Sequence, residues 1–411
     1  MLRNDRILLL IGTALLLSGS CTVRKEVRSD TFPKVSDPIQ ITKEGKEHFF
    51  ASYYGITSFN KSQRYVTVLE TDIKHKLPDE TEPATLGLVD LKTNEFIPLI
   101  KTNAWNFQEG CMAHWLDDTK IIYNDYRNGK FVSVIMNTKT KKELKTIPYP
   151  VSGMSPDGKE ALSLNFSRLR VTRTDYGYGG NGQDAQKDVQ FPANDGLFVV
   201  SLETGTARLM VSLEQVMNLV PPFTKPSIEY FAHTRFSKDG SKIFWLARGY
   251  PQWNTSAFTV NKDGSNLQRC FPDGWGGSHY DWLNNEELMI TANYDAKKYA
   301  HILFTVGKQN YKKLGNGALD FDAHGTFSPD QKWMVTDGYP DKVTGDQKVY
   351  LMEMKTGASQ LIGSYHEPKE YSNGGLWRCD LHSRWSPKGN MIGFNSTKSG
   401  SRQVYIYKLS F

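Results

Sequence analysis

Apolar and polar residues alternate in short runs from about residue 37 to the end of the chain, and each run breaks at a small polar turn. "HTRFSKDGSKIFWLA" from 233, "HGTFSPDQKWMVTDG" from 324 and "HSRWSPKGNMIGFNS" from 382 share one plan: an aromatic anchor, a turn of the S-P-D-G kind, then a second apolar run. A period of two marks strands with one buried face, and Ser, Pro, Asp and Gly are the residues that close tight turns. The anchors recur at Phe59, Trp115, Met154, Phe236, Trp282, Phe327 and Trp385. After each comes a further strand pair around a polar turn, as in "LGLVDLKTNEFIPLI" and "VYLMEMKTGASQLIG". Seven units of four strands predict an all-β fold, a seven-bladed β-propeller.

Two irregularities refine that expectation. The interval from Met154 to Phe236 is longer than the rest and reads as an insertion within the third blade. The last unit has only three strands, and "PIQITKEG" (residues 38–45) is expected to supply the fourth. A last blade closed by an N-terminal strand leaves no open sheet edge. The propeller is therefore expected over residues 37–411.

The first twenty residues are of another kind. "MLRNDR" is basic, "ILLLIGTALLL" is apolar but too short to span a bilayer, and "SGSC" places small residues before Cys21. They read as a lipoprotein export signal with Cys21 as the lipidation site, followed by a polar tether over 21–36. This predicts a lipid-anchored monomer in the cell envelope of a Gram-negative bacterium, in the periplasm or at the outer membrane, touching membrane through the lipid alone. The formal charge of +6 is spread among acidic residues without a basic run, so no nucleic-acid partner is expected. Beyond Cys21 there are three widely spaced cysteines, which make neither a disulfide framework nor a zinc knuckle.

Strand register supplies the candidate chemistry. In a propeller the first strand of each blade lines the channel, so residues three ahead of the anchor converge at one mouth. They are Ile56, Met112, Val151, His233, His279, His324 and His382. One histidine there is explained by a bond to a backbone carbonyl, but four in consecutive blades suit a metal or anion. Loops on the same face carry Trp105, Gln108, Tyr176, Tyr178, Trp253, Tyr339 and Trp377 as sugar-binding candidates, with Arg127, Arg235, Arg248 and Arg378 as carboxylate clamps.

The S-P-D-G turns resemble those of TolB-type and related WD40-like secreted propellers. More specifically, "SHYDWL", "HGTFSPDQKWMVTDG" and "RCDLHSRWSP" resemble segments of the oligogalacturonate lyase family. The resemblance implies a divalent cation, manganese or calcium. By it His279 and His382 match metal-binding histidines, with His324 completing the set. The family's last blade has a second His and a Gln where this chain has Asp380, which can ligate, and Trp377, which cannot. The resemblance also places His233 where the family has a candidate base, with Arg235 expected on the same side of its strand. It implies β-elimination on an acidic oligosaccharide, of oligogalacturonate or rhamnose-glucuronate type, in which a base removes the C5 proton while a metal or arginine neutralises the adjoining carboxylate. Two other classes fit the residues: a non-catalytic surface propeller that binds glycan or protein, and a glycoside hydrolase using a carboxylate pair from Asp281, Asp320, Asp322, Asp337 and Asp380.

Overall fold

The structure is a computed structural model that describes residues 32–179, 184, 186–220, 229–249, 255–270, 272, 274–294, 298–308, 310–372 and 375–411. Cys21, the expected export segment, most of the tether and Trp253 lie outside the described residues. Seven antiparallel sheets follow one another along the chain, spanning 47–102, 114–147, 153–212, 230–269, 276–313, 323–366 and 384–410. The first six have four strands each. The long interval falls between Glu160–Ser163 and Gly196–Ser201 of the third blade, and its described part includes the short helix Phe166–Thr172.

The turns form for a reason legible in their side chains. Ser155, Ser237 and Ser328 each donate to an aspartate two residues on, and each hydroxyl accepts the backbone N–H five residues on. Serine at the first position and aspartate at the third thus close the loop without help from elsewhere. Between sheets, Trp245 and Trp282 are fully buried. Burial of one such ring contributes roughly 2–3 kcal/mol.

The seventh sheet is completed from the other end of the chain. Ile39 and Gln40 pair with Ile406 and Tyr405, as expected, and Lys34 and Val35 pair with Ser410 and Leu409. Pairing thus begins three residues before the expected boundary at 37, inside the segment read as tether. Phe32 packs against Trp333 at a ring separation of 5.1 Å.

The first blade departs from the repeat. Its inner strand is Glu47–Phe50, and Phe59 rejoins it through a bridge to Val66. Residues 52–57 leave the sheet and enter the channel, so Ile56 is not at the histidine mouth as its register implied; it lines the opposite opening. Gly55, at φ +74°, makes this crossing possible, because a Cβ there would lie 2.8 Å from the Arg235 guanidinium.

Candidate active site

Tyr53 and Tyr54 of this crossing loop plug the channel beneath the histidines. Tyr53 stacks on His233 at 4.8 Å and 12° and meets His382 edge-on at 5.2 Å. Tyr54 packs against His279 at 5.6 Å and His324 at 5.1 Å. All four imidazoles are buried. His233 and His382 sit at φ +59° and +51°, and Met112 occupies the same register in the second blade at +50°. A left-handed residue at this point kinks the inner strand and turns its side chain into the channel.

His324, Asp380 and His382 hold their ligand atoms within 4.8 Å of one another. Nε2 of His382 and Oδ1 of Asp380 are buried without a hydrogen-bond partner. Two orphaned acceptors near one another, with the second imidazole, His324, beside them, fit a divalent cation. Asp337 anchors the group, with Oδ1 2.9 Å from Nδ1 of His324 and Oδ2 accepting from the Ser383 N–H. Burial opposes charge on His324, but Asp337, with Asp380 and Asp322 beyond it, outweighs burial and raises its pKa. His279 lies 4.1 Å from the His324 ring but is engaged elsewhere, Nδ1 with Asp322 at 3.0 Å and Nε2 with the Tyr339 hydroxyl at 3.3 Å. Burial and its neighbour His324 push its pKa down to about 4.

Above these groups opens a cavity of about 480 Å³. Arg173, Arg248 and Arg378 line it together with Tyr176, Tyr299 and Tyr339. Two carboxylates join them: Asp175, bonded to Arg173 and Arg378, and Asp322, held ionised against burial by His279. Arg248 donates to the carbonyl of Gly277, and its Nη1 lies 3.3 Å from Nε2 of His233. His233 therefore stands one layer behind Arg248, between Tyr53 and Tyr176. Its Nδ1 is 3.4 Å from the buried carboxyl of Glu109. Burial and the Arg248 cation hold His233 well below its ordinary pKa, whereas burial and Asp175 push Glu109 up to about 8.

Several expected site residues lie elsewhere. Trp105 is wholly buried against Phe49 and Phe107, its indole N–H on the Glu82 carbonyl. Tyr178 stacks on Phe166 at 4.4 Å within the core. Trp377 turns from the cavity to bond the Glu370 carbonyl, although its neighbour Arg378 faces in. Gln108 does not line the cavity either; it exchanges hydrogen bonds with Arg378 and steadies it. Arg235 was expected beside His233, but the bulge between Ala232 and Arg235 breaks the alternation and sends it to the opposite mouth, 3.3 Å from Asp281. Glu109, Arg173, Asp175 and Tyr299 were not singled out from sequence. Glu109 alone had a signal, being a single carboxylate within the apolar run "AWNFQEGCM".

A seven-bladed propeller with a basic, aromatic cavity over a histidine cluster is thus the class this chain defines. Among solved structures it is similar to an oligogalacturonate lyase in complex with manganese, at TM-score 0.67 and 14% identity over 90% of this chain and 93% of that one. It is likewise similar to oligogalacturonate lyase from Vibrio parahaemolyticus, at TM-score 0.65 and 15% identity over 92% and 94%. TolB from Acinetobacter baumannii aligns over 85% and 80% at TM-score 0.42 and 13% identity. No protein-family model and no curated protein matches the chain. At these identities the first two likenesses show the fold.

Proposed function

We propose that this protein is a metal-assisted lyase that cleaves uronate-containing oligosaccharides by β-elimination. The observation that carries the reading is that Arg378, one of three arginines lining the cavity, bonds Asp380 of the His324–Asp380–His382 cluster beneath it. A divalent ion held by those three side chains would withdraw electron density from a uronate carboxylate and acidify its C5 proton. Arg248 and Arg378 are placed to clamp the carboxylate, and Tyr176, Tyr299 and Tyr339 offer flat faces to sugar rings.

In this reading His233 is the proton acceptor, reached by substrate once a carboxylate draws Arg248 off its Nε2. The Nδ1 of His233 lies 3.4 Å from the Glu109 carboxyl without a hydrogen bond, and its Nε2 faces Arg248 at 3.3 Å. A carboxylate docking on Arg248 would neutralise the cation that lowers His233 basicity, so substrate binding itself would strengthen the base. Glycosidic hydrolysis is less well supported, because it needs a carboxylic acid to protonate the leaving oxygen. Of the cavity carboxylates, Asp322 is held ionised and Asp175 is bonded to two arginines.

Elimination leaves a C4–C5 double bond conjugated to the carboxylate. Full-length protein incubated with pectic and with glucuronate-terminated oligosaccharides plus Mn²⁺ should generate new ultraviolet absorbance, and His233→Ala should abolish it while metal stays bound. New reducing ends without absorbance would identify a hydrolase, and binding without either would identify a glycan-recognition propeller.

A further inference from the structure

The channel has a second mouth, and nothing in the proposed lyase uses it. Where the S-P-D-G turns converge, a separate cavity of about 440 Å³ opens, with residues 55–57 of the crossing loop in its lining. Phe236, Phe327 and Trp385 form its walls, with Pro156, Pro329 and Pro387 from three turns. These aromatic rings are buried, so they form the apolar lining of a concave opening, and such a lining ordinarily marks a binding site.

The charged groups in this cavity do not balance. Among the described residues, Arg235, Lys238 and Arg384 line it with one carboxylate, Asp281. Asp281 accepts the Phe327 N–H on Oδ2 at 3.0 Å, and its Oδ1, which has no hydrogen bond, faces Arg235 at 3.3 Å and Lys238 at 3.9 Å as an ion pair. Arg384 is 1% exposed and has no carboxylate of its own here. Its Nη1 is spent on Ser52, Ile56 and Ser58 of the crossing loop and its Nε on the His382 carbonyl. Nη2 is buried with no hydrogen-bond partner. A buried guanidinium with one unsatisfied edge is costly unless something accepts from it, and the surplus positive charge sets the sign of that acceptor. His114 nearby adds no charge, since burial pushes its pKa down to about 4.

We infer that this second mouth binds a small carboxylate carried on an apolar body, the carboxylate on Arg384 and Arg235 with Lys238 beside them and the apolar part against Phe236, Phe327 and Trp385. The planar arginine fork suits a carboxylate, and the aromatic walls suit a flat ring. The ligand differs in kind from a sugar acid, which is polar all round, and the plug of Tyr53 and Tyr54 separates the two cavities.

Benzoate is the probe. Equilibrium dialysis of the full chain with labelled benzoate should show about one saturable site, with benzyl alcohol failing to compete. Arg235→Gln/Lys238→Gln should weaken binding tenfold or more, whereas Arg378→Gln, in the other cavity, should leave it unchanged. If loss of the Arg235 pair with Asp281 unfolds the double variant, the half-exposed Lys238→Gln alone should still weaken binding severalfold. Absence of saturable binding, equal competition by benzyl alcohol, or loss of binding in Arg378→Gln with retention in Lys238→Gln would overturn the inference. Neither result bears on elimination activity, which is assayed separately.

Discussion

Nε of Arg378 donates to Oδ2 of Asp380 at 2.8 Å, while Oδ1 of the same carboxylate is buried without a partner. One aspartate thus serves the proposed carboxylate clamp with one oxygen and the cation cluster with the other. Arg378→Gln should therefore separate the two tasks. Removing a fixed positive charge beside the cluster should tighten Mn²⁺ binding a fewfold, read by titration calorimetry, while the KM for acidic oligosaccharide rises by about tenfold or more.

The two histidines of the cluster should differ when truncated. His382→Ala should abolish Mn²⁺ binding with a small change in melting temperature. His324→Ala should abolish it too, but it strips the imidazole from the fully buried Asp337. Loss of one partner from a buried pair costs about 3–5 kcal/mol, so this variant should also melt well below wild type.

Glu109 should give the fold a measurable pH dependence. Its folded pKa of about 8 lies above its value in the unfolded chain, so between about pH 4.5 and 8 the folded state holds a proton that the unfolded state has lost. Stability from this group is therefore fully present below pH 4.5 and falls as pH rises through that window, by at most about 1.4 kcal/mol per pH unit. Chemical denaturation across the range should show Glu109→Gln with a shallower decline than wild type. Identical slopes would mean that the carboxyl is ionised in the fold.

Deleting residues 32–41 should expose the outer edge of Gln403–Ser410, which pairs with both N-terminal strands. A lowered melting temperature and aggregation are expected by calorimetry and light scattering. A variant that stays monodisperse and melts normally would show that the seventh blade does not need this cover.

The repeat was legible because its rules are local. Alternation, the Ser–Asp turns and the histidine register each depend on neighbours within a few residues, and they place seven blades and the imidazoles of His233, His279, His324 and His382 around one channel. What escaped depends on departures from the repeat. Ile56 was assigned to the histidine mouth because nothing in "SYYGITS" signals that it leaves the sheet. Arg235 was placed beside His233 by counting two along a strand, and a left-handed His233 breaks that count. Trp105 and Tyr178 were read as loop aromatics when they are core, a distinction that only packing between blades decides. Arg173 and Asp175 come from the third-blade insertion, which follows no repeat and so had no register from which to be read.

The pairing of the two chain ends also has a consequence in time. Ser36 and Lys408, joined by a hydrogen bond, are 372 positions apart. At ordinary rates of synthesis, on the order of tens of seconds separate them. Six blades can therefore collapse on their own hairpins while the earliest strand waits with its backbone donors and acceptors unpaired. Its partner is the strand with the greatest loop-closure entropy in the molecule, so ring closure is expected to be the last and slowest folding event. Until then residues 34–40 are an open strand edge, and any factor that shields a nascent chain of this protein has its most useful place there.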